Sequence, residues 1–154
     1  MSLSVATIAT GISNLSITGV TVKDMSGIPD QVNASRDCPI LFPHPDQFLS
    51  GSNGEPATSA ATFGAPADRA WIFYRTYKYV YLHAPVGAGR GISEHYLGMS
   101  NNADAIQTAL TLLDLTSVDV RNINISDFAV LSDPSGSQFY GFNLTLVLRE
   151  WINP

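Results

Sequence analysis

Any chemistry in this chain would have to be built from three histidines, one cysteine, a glycine-rich run and thirteen acids. His44, His83 and His95 could in principle move a proton or hold a metal, because imidazole titrates near neutrality and ligates zinc. They fall at a strand end, in a loop and before the helix, without ligand spacing, and Glu94 and His95 are adjacent rather than one helical turn apart, so their side chains diverge. Solvated or interface histidines are the plainer reading. Cys38 is the single cysteine, which excludes an intrachain disulfide and a cysteine-based zinc site. As a nucleophile it would need a positioned base. It lies between Asp37 and Pro39 with no histidine nearby in sequence, and reads as a partly buried structural thiol. Gly87-Ala88-Gly89-Arg90-Gly91 falls between a strand and a helix, where phosphate-binding loops occur. It lacks the Gly-Lys-Ser/Thr ending of such a loop and the full dinucleotide spacing, so a tight connection at a sheet edge or a subunit contact fits it better. No Gly-x-Ser-x-Gly elbow occurs, and Glu55, Glu94 and Glu150 are far apart. The expectation is a protein without a cofactor, a metal or a catalytic set.

Aromatic residues give a more concentrated signal. Residues 71–83 read as a long strand with Trp71, Phe73, Tyr77, Tyr79 and Tyr81 on one face. Such a stripe could stack bases or sugars, but no basic groove accompanies it, and packing is the better account. The other face carries Ile72, Tyr74, Thr76, Lys78, Val80 and Leu82, where strict alternation would leave a polar face for water. One face is therefore assigned to the domain core and the other to a neighbouring subunit, since aromatics are enriched at interfaces. The candidate subunit-interface residues are Trp71, Phe73, Tyr77, Tyr79, Tyr81, Phe48, Phe63 and Arg90.

The elements that would position these residues can be read from periodicity and breakers. Residues 2–15 place Val5, Ile8, Ile12 and Leu15 at helical spacing, with Ser4 as N-cap. A strand is predicted over 16–23, followed by a turn at Gly27-Ile28-Pro29. Residues 36–43 form an apolar segment clamped by Pro39 and Pro43, which reads as an extended edge piece or a pinned loop. Residues 44–68, rich in Gly, Ser, Ala and Pro, are long for a loop in a compact domain, and predict a protruding arm or hairpin that orders against a neighbour. Ser100 is placed as the cap of a helix running to about Leu113, with Met99, Ala103, Ile106, Leu110 and Leu113 on its buried stripe. A strand over 123–131, a turn at Asp133-Pro134-Ser135-Gly136 and a strand over 138–152 then make an antiparallel hairpin. In the last strand Tyr140, Phe142, Leu144, Leu146 and Leu148 alternate with Gly141, Asn143, Thr145, Val147 and Arg149. The fold class is α+β: one domain over 1–154, with a mixed, mostly antiparallel sheet flanked by helices.

Composition bounds the function. The charged fraction is 14%, against about 25% for an average soluble protein, as for a surface largely covered by neighbouring subunits. Net charge is −5, and the eight Lys and Arg are scattered, so no basic stripe exists to neutralise a phosphate backbone. No apolar run approaches the roughly 20 residues that cross a bilayer, and the N-terminus lacks the pattern of a signal peptide. Synthesis in a reducing cytoplasm is the expectation.

Two phrases, Val22-Lys23-Asp24-Met25-Ser26-Gly27-Ile28-Pro29 and Arg36-Asp37-Cys38-Pro39-Ile40-Leu41-Phe42-Pro43, carry a resemblance. So does Tyr79-Val80-Tyr81-Leu82-His83-Ala84 followed by Val86-Gly87-Ala88-Gly89-Arg90-Gly91. From about Val20 to Trp151 the chain resembles small structural proteins of long-tailed bacteriophages, of the tail-terminator or head–tail completion type. The resemblance implies a hexameric ring in the virion that caps the tail tube, ends its polymerisation and offers a face to the head–tail connector proteins. Genomic DNA would pass through the lumen without sequence-specific binding. No catalytic residues come with the resemblance. A neck or head-completion connector, a tail-tube or minor tail subunit, and a small phage-encoded hydrolase are the alternatives.

Overall fold

Two fifteen-residue strands lie side by side at the centre of the structure, β4 (Trp71–Pro85) and β7 (Gln138–Ile152). This computed structural model describes residues 5–24, 38–44, 57–60, 71–87, 91–132 and 136–152. The two strands pair antiparallel from Trp71↔Ile152 to Pro85↔Phe139, and every other described strand attaches to this ribbon directly or at one remove. On the outer edge of β4 sit β2 (Ile40–Pro43) and β3 (Ala57–Ala60), end to end; on the outer edge of β7 sit β5 (Val118–Ile125) and β6 (Ala129–Ser132). β1 (Thr21–Val22) adds to β2 as the one parallel pairing among the described strands. The result is a mixed, mostly antiparallel seven-stranded sheet. With α1 (Val5–Ser13) and α2 (Ile92–Thr111) it makes an α+β fold.

Alternation decides which face carries the core. Tyr77, Tyr79 and Tyr81 of β4 and Phe142, Leu144, Leu146 and Leu148 of β7 are buried on one face, against Ile8 and Ile12 of α1 and Met99, Ala103, Ile106 and Leu110 of α2. Both helices therefore pack on the same side. The opposite face holds a smaller cluster of Ile40, Phe42, Val80, Leu82 and Phe139 at one end. Toward the other end it carries exposed Tyr74 and Lys78, half-buried Thr76, Thr145, Val147 and Arg149, and exposed Asn143.

Several expectations change. The strand expected over 16–23 shrinks to Thr21–Val22, because Gly19 adopts φ +79° and the Val20 amide donates to the Ile17 carbonyl at 3.2 Å, closing a turn. The proline-clamped segment is no edge piece: β2 lies between β1 and β4 and all four of its residues are buried. Pro43 is tolerated because it ends the strand and the ladder resumes with the His44 amide donating to the Lys78 carbonyl at 2.9 Å. The strand expected over 123–131 is two, β5 and β6, broken at residues 126–128. The helix expected to start at Ser100 begins at Ile92, after an extended Gly91 with φ −85° and ψ 174°. Within 44–68, residues 57–60 join the sheet as β3; the arm predicted there otherwise lies outside the described residues, as do Phe48, Phe63 and Arg90.

At Gly141 the β4 backbone leaves no room for a side chain. A β-carbon there would stand 1.9 Å from the Tyr81 carbonyl oxygen, beside an irregularity between Leu82 and Ala84 that leaves His83 as an extra residue in β4. Gly141→Ala must therefore push the central strands apart, and is expected to destabilise the fold by about 3 kcal/mol or more, the upper end of overpacking costs. Gly91→Ala meets open space and is expected to cost less than about 1 kcal/mol. Urea unfolding of the two variants beside the parent checks the contrast.

Candidate functional site

Among the interface candidates, three prove to be core. Tyr77 and Tyr79 are 1% exposed and Tyr81 is 0%, so they cannot meet a neighbour without opening the domain. The core face of β4 carries them because the helices cover that face, and this corrects their assignment to a subunit contact. Trp71 and Phe73 lie in the part of β4 that pairs with Ile152 and Glu150 of β7 and with Ala60 and Thr58 of β3. Burial raises the Tyr79 phenol far above its ordinary range, with the neighbouring Tyr77 and Asp24 adding to the effect.

At the end of β4 the structure gathers polar groups that the sequence reading kept apart. Asn102 of α2 donates to the Tyr81 hydroxyl at 2.6 Å, and that hydroxyl lies 2.7 Å from His83 Nδ1. With its oxygen accepting from Asn102, the phenol is free to donate to Nδ1, which fixes the His83 proton on Nε2. The His83 ring lies 5.4 Å from the His95 ring, edge to face, and His95 in turn lies 5.3 Å from Tyr140. Helix α2 comes this close because of Gly98, where a β-carbon would sit 3.0 Å from His83 Cε1. The two histidines are thus neighbours, not separate solvated groups. A signal was available: His95, Met99, Asn102 and Ile106 fall on one face at spacings of four and three. It needed the helix to begin before Ser100.

What this cluster can do chemically is narrow. Burial pushes the Tyr81 phenol up to about 12 and, with the nearby His95, holds His83 below the ordinary imidazole value of 6.5. Both groups therefore stay neutral at pH 7 and act as hydrogen-bonding parts of a helix-to-sheet joint. Among the described residues no group of three or more His, Cys, Asp or Glu is placed to hold a metal ion. Cys38 is half-buried beside the smaller apolar cluster, as expected for a structural thiol.

Beside the joint lies an open cleft of about 640 Å³ between α2 and the β5–β6 connection. Its apolar side is Tyr96, Ile125 and Phe128, and its polar side includes Asp104, Asp127 and Ser100. Phe128 contacts Tyr96 at 5.2 Å between ring centroids and stacks on Phe142 at 5.5 Å; Phe142 stacks on Tyr81 at 4.5 Å. An aromatic chain therefore runs from the cleft through the core to the Tyr81–His83 pair. On the opposite sheet face, Arg149 forms an ion pair with Asp119 across β5–β7 and lies 5.4 Å over the Trp151 ring.

Comparisons with protein-family models and with curated proteins return no match for this chain.

The joint predicts a pH dependence. An imidazole that stays neutral when folded but binds a proton when unfolded gives the unfolded state the extra proton, so stability rises with pH until the free histidine has titrated. The expected outcome is a urea midpoint that is level above pH 7 and falls on acidification through 6.5. In His83→Gln, whose amide oxygen can still accept from Tyr81, that part of the fall is expected to vanish. In Tyr81→Phe, which leaves Asn102 and His83 without their shared partner, a loss of about 1–3 kcal/mol at pH 7 is expected by the same titration.

Proposed function

We propose that this chain is a structural virion protein of the tail-terminator type. Its copies close into a ring that caps the tail tube, ends tube polymerisation and joins the tail to the head connector. The observation that carries the reading is the two-sided character of the sheet. Its core face is filled by α1 and α2, while a second face presents Tyr74, Thr76, Lys78, Asn143, Thr145, Val147 and Arg149. On that face Tyr74, Arg149 and Trp151 are residue types that dominate protein contacts.

The described histidines and acids support a structural role over a catalytic one. His83 and His95 serve the helix-to-sheet joint, where the hydroxyl bonded to His83 is the buried Tyr81 phenol, and Asp119 is held in an ion pair with Arg149. In this reading termination is steric. One ring face complements the last layer of tube protein, the other offers nothing on which a further tube layer can grow, and a closed ring follows from a head-to-tail contact repeated by rotation. The partners are further copies of the chain, the tail-tube protein and the connector proteins, with DNA passing through the lumen.

Light scattering of the purified protein, followed by electron microscopy with purified tail-tube protein, tests this. The expected result is a discrete ring, or a monomer that closes into one at tube ends and yields tubes of fixed length. Open tubes grown from this protein alone would make it a tube subunit. Binding to portal-connector assemblies without affinity for tubes would make it a neck protein.

A further inference from the structure

Charge is distributed unequally between the two layers. No Lys or Arg occurs from Gly91 to Val120, a stretch that contains all of α2, and α1 has no charged residue. Four exposed acids, Glu94, Asp104, Asp114 and Asp127, surround the helix layer, and one exposed cation, Arg121, lies near its C-terminal end beside Thr111 and Leu113, away from the cleft that holds Asp104 and Asp127. The outer face of the sheet carries two cations, Lys78 and Arg149. Lys78 is exposed there, on the same face as Tyr74, and Arg149 forms an ion pair with Asp119. Apolar exposure follows the same two surfaces, with Tyr96 58% and Leu97 70% exposed on the helix side and Tyr74 38% exposed on the sheet side.

We propose that the cleft between α2 and the β5–β6 connection receives the outer sheet face of a second copy of this chain. Lys78 of the incoming copy sits between Asp104 and Asp127, and its Tyr74 packs against Tyr96 and Phe128. The cleft has the composition of a socket for such a group: an aromatic side that accepts apolar or cationic surface, and two carboxylates that select for positive charge. Because socket and plug lie on opposite layers of one domain, each copy can offer its cleft to one neighbour and its sheet to another. That is a heterologous contact, which propagates until rotation closes it. The assignment rests on the ring reading and specifies which surfaces would make the ring.

The test is a charge swap on the full chain, read by sedimentation. Asp104→Lys with Asp127→Lys, and separately Lys78→Glu, are each expected to raise the dissociation constant of the assembly by about tenfold or more. Combining all three substitutions is expected to restore association, and raised salt to weaken the parent assembly. All the altered side chains are exposed, and unchanged thermal unfolding of the variants separates lost contact from lost fold. If the reversals leave the assembly intact, or if the combination fails to restore it, this contact is wrong while the ring stands. A parent protein that stays monomeric at every concentration, with and without tubes, overturns both.

Discussion

Everything in this fold hangs on the antiparallel ladder between β4 and β7. A fifteen-residue strand pair is long enough that neither strand can be matched by single neighbours, so each takes two short ones in succession on its free edge. The ladder also sets the pleat. Once Tyr81 is registered against Phe142 and Tyr77 against Leu146, the inward set on both strands is determined, and with it the surface on which α1 and α2 must pack. Gly141 shows how tight this constraint is, because the ladder brings the backbone of β4 against it with no room for a methyl group.

What the sequence made legible was whatever depended on local periodicity. The alternation of Tyr140, Phe142, Leu144, Leu146 and Leu148 located β7 with its bounds, and the stripe of Met99, Ala103, Ile106 and Leu110 located the buried side of α2. What stayed hidden depended on tertiary context. His95 and Gly98 are indifferent helix formers, so propensity does not announce the first two turns of α2; the sheet end against which they pack stabilises them there. Residues 16–23 alternate well enough for a strand, yet a turn at Gly19 takes half of them. Aromatic residues at alternate positions could not reveal which face of β4 the helices would choose. Tyr77, Tyr79 and Tyr81 went to the core, and the less conspicuous Tyr74 and Lys78 were left outside.

The joint around Tyr81 shows how a core admits polar groups on restricted terms. Tyr81, His83 and Asn102 satisfy one another through a single phenol, and the desolvation that keeps them neutral also makes the arrangement costly to protonate. Since Asn102 and His95 belong to α2 while Tyr81 and His83 belong to β4, the same few atoms fix the rotation of the helix on the sheet. Leucine in these places would pack but would not define that rotation. The aromatic chain from Tyr81 through Phe142 to Phe128 then extends this positional control to the wall of the cleft.

The irregularity in β5 between Val120 and Asn122 sets Arg121 out of register with β7. β5 ends the strand order, with no further strand beyond it among the described residues, and such an edge is a template on which stray chains can template cross-β growth. A bulge bearing an exposed cation interrupts that template, and Asp119 two residues earlier adds a second charge to it. The sheet can thus be long, aromatic and poorly charged without inviting amyloid-like stacking along this side.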